Sequence, residues 1–367
     1  MKKIISFIIL LLLIPIIPFP ISAEKTEFDN NCYDLPPYFS WQDINGTDYT
    51  TPIKDQSPAP TCEAYGLCGA LETIMQYQMQ EVYNPDLSEM HLYFYAGGSY
   101  EQGYVNLIDA ANYLIEYGVP DEGCYPDPHR AFDYPFESVP GWEERTVKIQ
   151  AWGWVDHDID SIKNALIEYG PLVVCMYLYR DFFYYRGGVY EHKWGKIAGG
   201  HVMTLVGYDD IHECWIIKNS WGTGWGENGW LRISYYEDVL AEWYGAGTGV
   251  MYIDGVYGNL NPDVPKVQLE KPTFFHTYLF NHEFSTILKK LPVQKAAARI
   301  FRGIEVKVTS ENTERVEFLI DNEVKYVDIE EPFSWELQST KGLHTLEIRA
   351  IKGENVSLAI VDFYKFI

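Results

Sequence analysis

The sequence predicts an α+β domain followed by an all-β domain. In the first part of the chain, helical periodicity comes first and short apolar strands follow, while the last hundred residues contain only short alternating runs separated by turn residues. Charge divides the chain in the same way: residues 24–263 carry 12 basic and 37 acidic side chains, whereas residues 264–367 carry 14 and 15. With 367 residues, the chain has room for two domains.

Helices dominate the first half of the α+β domain, which we assign to residues 24–254. Apolar residues recur there at helical spacing, and Gly118 and Gly170 follow the second and third periodic segments. The predicted helices are 61–81, 105–117 and 159–169. Short apolar segments rich in β-branched and aromatic residues then predict strands at 172–178, 201–208, 215–218 and 230–235.

Residues 255–265 are predicted to form a linker, because glycine, asparagine and proline are frequent in this segment. Beyond it, residues 266–367 are predicted to form an antiparallel β-sandwich, with turn residues between the strands. Its predicted strands are 304–309, 316–320, 324–327, 333–337, 343–350 and 356–363.

Composition excludes two classes of function. The formal net charge is −24, and a nucleic-acid-binding protein that holds phosphates with lysine and arginine needs the opposite sign. No apolar run of membrane-spanning length follows residue 24, which excludes an integral membrane bundle. The acidic first domain attracts basic partners instead, or simply keeps the protein soluble.

The N-terminus has the layout of a secretory signal peptide. Lys2 and Lys3 precede an uncharged apolar stretch that ends at Ala23. We therefore predict a signal peptide at residues 1–23 and an extracellular protein; an uncleaved anchor is the alternative. Export makes disulfides possible among the six cysteines, whose pairing is not fixed by the sequence: Cys32, Cys62, Cys68, Cys124, Cys175 and Cys214.

Cys62 is the candidate nucleophile, because it stands where the first predicted helix begins. The dipole and free N–H groups of a helix N-terminus stabilise a thiolate. Taken alone, a cysteine at this position is more often structural than catalytic. Its surroundings decide between the two interpretations.

Three separated segments resemble the papain-like cysteine peptidases. Pro52–Gln56 precedes Cys62, with Gln56 six residues before the cysteine; Gly200–Tyr208 is similar to the histidine strand of that family, and Trp215–Gly229 is similar to its asparagine segment. Their order agrees with the family as well. The resemblance covers Leu35 to Ile253 and implies a two-lobed fold, with a helical lobe and a β-sheet lobe.

The resemblance implies a role for each matching residue. Cys62 is the nucleophile, His201 its base and acid, and Asn219 the acceptor that holds the imidazole ring. Gln56 and the backbone N–H of Cys62 form the oxyanion hole. Two further residues match positions that cover the site or bind substrate: Trp221 and Gly103.

The segment around Cys62 departs from the family pattern. Ala59 replaces a cysteine, which removes one expected disulfide, and Glu63 replaces a tryptophan next to the thiol. A carboxylate there favours the helix N-terminus but opposes thiolate formation if it points at the sulfur; the sequence leaves both effects open. Cys68 is a candidate partner of Cys124. We also expect no long inhibitory propeptide before residue 35.

The C-terminal segments 315–322, 332–336 and 342–345 resemble immunoglobulin-like sandwiches of exported microbial proteins. They contain no catalytic cluster, so binding, spacing or attachment to a cell surface is the expected role. The histidines and acidic residues have no metal-ligand spacing, and we expect neither a metal nor a cofactor.

The sequence therefore predicts a secreted cysteine endopeptidase that acts on peptides or proteins, with a preference for basic ones. Two alternatives remain. An inactive papain-like domain would bind peptides or surfaces, and a transpeptidase or ligase would use the same acyl-enzyme.

Overall fold

The computed structural model describes residues 35–129, 137–237, 249–284 and 297–367. The predicted signal peptide lies outside them, as does Cys32. Within the described residues no helix has both the length and the apolar character needed to cross a membrane.

Three of the four described α-helices were predicted, and their ends agree with the prediction to within a few residues. Asn106 and Asp158 cap the N-termini of two of them, each through side-chain bonds to backbone N–H groups of the first turn. The second helix was not predicted, because seven residues give too short a periodic pattern. The helices are α1 Cys62–Met79, α2 Glu89–Tyr95, α3 Leu107–Glu116 and α4 Ile159–Glu168.

An eight-stranded sheet forms the second half of this α+β region, in the order β4-β10-β5-β7-β8-β9-β6, with β1 paired to β7. Three short strands form a separate sheet, β11-β3-β2. The four strands predicted here are confirmed. The strands are β1 Tyr38–Ser40, β2 Val119–Pro120, β3 Thr146–Lys148, β4 Ala151–Trp154, β5 Leu172–Tyr179, β6 Val189–Tyr190, β7 Ile197–Asp209, β8 Cys214–Lys218, β9 Trp230–Ser234, β10 Val250–Asp254 and β11 Tyr257–Gly258.

Helix α1 lies unusually close to strand β7. A Cβ atom added at Gly66 would lie 2.9 Å from Val202 Cγ1, and one added at Gly69 would lie 2.7 Å from Thr204 Oγ1. The Thr204 hydroxyl donates to the Gly66 carbonyl oxygen at 2.9 Å. The first 15 residues of α1 are buried without interruption. Glycine at these two positions therefore allows the helix that begins at Cys62 to press against the strand that carries His201.

A buried ionic cluster fixes the segment that precedes the active-site loop. Lys54 Nζ lies 2.8 Å from Glu72 and 2.7 Å from Glu89, both of them buried. Thr51 donates to the other Glu72 oxygen at 2.6 Å and accepts from Lys218 at 2.5 Å. Since Lys218 immediately precedes Asn219, the cluster joins α1, the loop segment and the asparagine segment. Each charged group of the cluster has a hydrogen-bond partner, as burial requires.

Two sheets enclose a separate hydrophobic core in the C-terminal part of the chain. Their orders are β12-β16-β19 and β14-β13-β15-β21-β20-β17-β18. The strands are β12 Lys266–Lys271, β13 Thr277–Leu279, β14 His282–Phe284, β15 Ala298–Phe301, β16 Glu305–Glu311, β17 Arg315–Ile320, β18 Glu323–Asp328, β19 Ser334–Glu336, β20 Gly342–Lys352 and β21 Asn355–Lys365.

The expected antiparallel pairing is confirmed among the six predicted strands. It was wrong for the domain as a whole, because the unpredicted strand β15 pairs parallel with both β13 and β21. Alternation of apolar residues indicates which face of a strand is buried but not the direction of its neighbour. The six predicted strands are present, with altered ends.

The hypothesis of a Cys68–Cys124 disulfide was also wrong. Both side chains are buried free thiols, as are the other described cysteines, Cys62, Cys175 and Cys214. Cys68 packs in the core around α1, whereas Cys124 packs with Val139 and Leu358 against the C-terminal region. The two residues belong to different clusters, so helical geometry alone was insufficient to pair them.

Arg145 joins the α+β region to the C-terminal sheets. Its guanidinium binds both carboxylate oxygens of Asp121, at 2.6 and 2.7 Å. It also donates to the Val356 carbonyl at 2.6 Å and to the Ser357 hydroxyl at 2.8 Å. The arginine side chain is only 6% exposed. This two-sided, charge-assisted contact fixes strand β21 against the segment around Cys124.

Substitution Arg145→Met should lower the free energy of unfolding by about 3 kcal/mol, because it leaves Asp121 without its buried partner. Urea unfolding followed by fluorescence measures the loss. The matched control is Arg315→Met, since Arg315 is 40% exposed and its ion pair with Glu317 spans 3.4 Å; its loss should stay below about 1 kcal/mol. Equal losses in the two variants would contradict this account of the contact.

Candidate active site

Strand β7 presents His201 to Asn219. The imidazole Nε2 lies 2.8 Å from Asn219 Oδ1, and both side chains are buried. Since an amide oxygen only accepts, Nε2 carries the proton and Nδ1 has a free lone pair. Burial lowers the pKa of His201 to about 4, against the opposing effect of the Asn219 bond. At neutral pH the ring is therefore uncharged and Nδ1 is available as a base.

Backbone and aromatic contacts fix the His201–Asn219 pair. The Asn219 N–H donates to the Gly229 carbonyl at 3.1 Å, and Asn219 Oδ1 also accepts from the Ser220 N–H at 2.8 Å. The Trp221 ring lies 4.7 Å from the His201 ring, centroid to centroid, and Phe183 stacks on Trp221 at 5.4 Å. These rings shield the hydrogen bond from water, which strengthens it.

Gln56 is held next to this pair by Ser220. The Ser220 hydroxyl donates to Gln56 Oε1 at 2.6 Å, and the Gln56 N–H donates to the Ser220 carbonyl at 2.9 Å. The amide nitrogen Nε2 donates to the Ala59 carbonyl at 3.0 Å. One of the two N–H donors of this amide is therefore bonded within the loop, and the other is the one that an oxyanion would use.

Cys62 is the first residue of α1, and its side chain faces strand β7. A backbone hydrogen bond from Val202, the residue after His201, stabilises the thiolate form. Burial, followed by the charge of Glu63, nevertheless holds the pKa of the Cys62 thiol well above its usual value. Among the hydrogen bonds of the described residues, none joins Cys62 to His201. The raised pKa of the thiol and the lowered pKa of the imidazole both favour the neutral forms of these groups.

Glu63 decides the question that the sequence leaves open. Its side chain is 3% exposed, and Oε2 has no partner among the described residues. Burial raises the pKa of Glu63 to about 7, although contacts with Cys62 and the Val105 backbone lower it. Burial of the thiol and the nearby carboxylate both raise the pKa of Cys62 and disfavour the thiolate.

Gly103 lies in the segment between helices α2 and α3. It has a φ of +79° in an exposed turn, and its N–H donates to the Ser99 carbonyl at 2.8 Å. No atom lies within 4 Å of a Cβ placed there. The structure thus brings Gln56, His201, Asn219 and Trp221 together, puts Cys62 against the same strand, and leaves Gly103 in an open turn two residues before Val105.

Two contacts of the site were not predicted. Ser220, which bonds to Gln56, stands between Asn219 and Trp221, so the asparagine segment already contained the signal for it. Phe183, which stacks on Trp221, lies in a run of aromatic residues that has no distinguishing spacing. Only the tertiary structure reveals that contact.

Comparison with known proteins identifies the family of the chain. Residues 35–252 match the papain family of cysteine proteases. The match covers more than half of the chain, so the chain belongs to that family.

Its relatives include cathepsin-like proteins. Cathepsin B-like CP3 of Giardia intestinalis is 49% identical over 84 residues, which are 22% of this chain and 28% of that protein. Cathepsin B-like CP1 of the same organism is 29% identical over 232 residues, 58% of this chain and 72% of that protein. Matches to three of the relatives span only 24% to 28% of their length.

Among solved structures, digestive procathepsin L 3 from the larval midgut of Tenebrio molitor is similar. Its TM-score is 0.48 at 25% identity, over 61% of this chain and 72% of that chain.

Substitution Glu63→Gln should accelerate alkylation of Cys62 by iodoacetamide at about pH 8 by on the order of tenfold. Above the pKa of Glu63 its carboxylate is charged and opposes formation of the thiolate, and the substitution removes this charge. Near pH 5 Glu63 is protonated in the wild type, so the two rates should converge. Labelling of Cys62 quantified by mass spectrometry gives both rates. The control is Glu116→Gln, an exposed carboxylate on α3; unchanged labelling in Glu63→Gln would refute the assigned effect of Glu63.

Proposed function

We propose that this protein is a secreted endopeptidase that hydrolyses peptide bonds through Cys62, His201 and Asn219. The observation that carries the proposal is the buried His201–Asn219 hydrogen bond, which leaves His201 Nδ1 available as a base. His201 and Val202, whose backbone bonds to Cys62, are neighbours on strand β7. The family to which the chain belongs supports the same chemistry.

In the first step, His201 Nδ1 takes the thiol proton while Cys62 Sγ attacks the peptide carbonyl carbon. The carbonyl oxygen becomes an oxyanion, which accepts hydrogen bonds from Gln56 and the Cys62 backbone N–H. The C–N bond then breaks, and the proton on His201 goes to the leaving amine, which leaves an acyl-enzyme. Water attacks this thioester with His201 as base, which releases the acid and restores the thiol.

Because thiol and imidazole are both neutral at rest, His201 acts as a general base for each attack instead of sharing a preformed ion pair with Cys62. The raised pKa of the thiol and the lowered pKa of the imidazole both favour this sequence. Ring orientation by Asn219 remains necessary throughout.

We assign the remaining parts of the chain as follows. Residues 1–23 are a signal peptide, 24–254 the peptidase domain, 255–265 the connecting segment and 266–367 an immunoglobulin-like domain. Two sheets around one core support a sandwich for the last of these, whose role is binding or attachment at the cell surface.

Two observations favour a second candidate function. The buried carboxylate of Glu63 lies next to Cys62, and the amide of Gln56 is engaged by Ala59. Both features are compatible with a domain that binds peptides without cleaving them. A transpeptidase differs from the hydrolase only in its acceptor, which product analysis with an added amine would detect.

Substitution Cys62→Ala should abolish casein hydrolysis, since it removes the attacking sulfur, while Cys214→Ala, which alters a buried thiol in β8, should retain it. Intact-mass analysis of a stalled acyl-enzyme on the wild type locates the covalent bond. A folded wild type that binds peptides but neither acylates nor cleaves would replace the peptidase by the binding function.

At low salt, kcat/KM should be on the order of tenfold higher for basic peptides than for matched acidic peptides. The reason is the excess of acidic side chains in residues 24–263, which attracts positively charged substrates. The difference should narrow as salt screens the charges. Steady-state kinetics with four otherwise identical peptides of graded charge measure it. Faster cleavage of the acidic peptides would overturn the preference.

A further inference from the structure

The loop that carries Gln56 is held from several sides. Ser220 binds the Gln56 amide, the Ser57 N–H donates to Asp55 Oδ1 at 2.9 Å, and the Ala59 N–H donates to the Gln56 carbonyl at 2.8 Å. The Ser57 carbonyl is bound by a residue far along the chain, His129, whose Nδ1 lies 3.2 Å away. Since a carbonyl only accepts, Nδ1 of His129 donates.

His129 is itself tied to the helix that begins at Cys62. Its backbone N–H donates to Asp127 Oδ1 at 2.6 Å. The other carboxylate oxygen of Asp127 accepts from the Tyr65 hydroxyl at 2.8 Å, and Tyr65 is three residues beyond Cys62 in α1. Asp127 is buried. The segment from Asp127 to His129 therefore connects the oxyanion loop with the nucleophile helix.

The C-terminal domain supplies the next contact. The Phe274 ring packs against the His129 ring in a T-shaped arrangement, with centroids 4.2 Å apart and planes at 65°. Phe274 also packs against the core of the two C-terminal sheets. Next to it, the Thr273 N–H bonds to the hydroxyl oxygen of buried Tyr278 at 3.1 Å. The ring that meets His129 is thus anchored in the C-terminal core.

We propose that the C-terminal domain positions the oxyanion loop of the catalytic centre. Phe274 fixes the His129 ring, and His129 holds the Ser57 carbonyl so that Gln56 keeps its place beside the scissile bond. We call these two contacts the brace. Phe274 and His129 are both positioning residues, since neither touches the reacting atoms. The Arg145 contact with Ser357 keeps the two regions together while this brace operates. The inference rests on the proposed peptidase function for its kinetic consequence.

Two reactions of the full-length protein separate positioning from general damage. Hydrolysis of a peptide amide forms an oxyanion and needs Gln56, whereas iodoacetamide alkylates Cys62 by displacement of iodide and forms none. Phe274→Ala should therefore lower kcat of hydrolysis about tenfold with KM nearly unchanged, and leave the alkylation rate as in the wild type. Phe274→Tyr, which keeps the ring, should restore kcat. Phe280→Ala is the matched control, because Phe280 is a 60% exposed aromatic side chain of the same domain.

A double-mutant cycle tests the route. If Phe274 acts through the oxyanion loop, Phe274→Ala should add no further loss of kcat in a Gln56→Ala background. Wild-type kcat in Phe274→Ala, parallel loss of hydrolysis and alkylation, or additive losses with Gln56→Ala would each overturn the proposal.

Hydrogen exchange keeps the proposal testable without activity. The Ala59 amide, which is bonded within the loop, should exchange faster in Phe274→Ala and in His129→Ala than in the wild type or Phe280→Ala. If exchange is faster in these variants but the wild type does not cleave peptides, the brace is supported and the proposed peptidase function is rejected. Unchanged exchange in both variants would overturn the brace, whatever the activity.

Discussion

The close contact between helix α1 and strand β7 is the constraint on which the site depends. Gly66 and Gly69 let the helix approach until the Val202 and Thr204 side chains fill the space that Cβ atoms would need. The helix begins at Cys62 and the strand carries His201, so the same contact sets the relation between thiol and imidazole. A larger side chain at either glycine would push apart the two elements that must cooperate.

That contact removes the ionisable groups of the site from water. Cys62, Glu63 and His201 are all buried, and each shifts toward its neutral form: the thiol and carboxyl pKa values rise and the imidazole pKa falls. A more exposed arrangement would favour charged groups. Here, the Asn219 side chain and the Val202 backbone orient the imidazole and the thiol, but their hydrogen bonds do not reverse the effect of burial on the two pKa values.

Local sequence patterns predicted a large part of this structure. The helices at 62–79, 107–116 and 159–168 and the strands that carry His201 and Asn219 follow from periodicity and turn residues, and their relation to one another follows from the resemblance of three segments to one family. Glu63 was noticed from the sequence, but the direction of its effect depends on burial, which adjacent residues do not reveal.

Contacts between residues far apart in the chain could not be predicted from the sequence. The bonds of Arg145 to Ser357 and the packing of Phe274 on His129 join residues more than a hundred positions apart, with no shared spacing. The disulfide hypothesis failed because Cys68 and Cys124 pack in different hydrophobic clusters, which their spacing in the sequence does not reveal. The parallel pairing of β15 likewise depends on how the chain returns to the sheet.

The position of strand β10 has a consequence for synthesis on the ribosome. Residues 250–254 lie between β4 and β5 in the large sheet, although both neighbours are made about a hundred residues and about eighty residues earlier. Until β10 emerges, β4 and β5 each expose an unpaired edge to the surrounding solution. The large sheet of the α+β region is therefore complete only after β10 has left the exit tunnel, and until that moment the open strand edges are available for pairing with other chains.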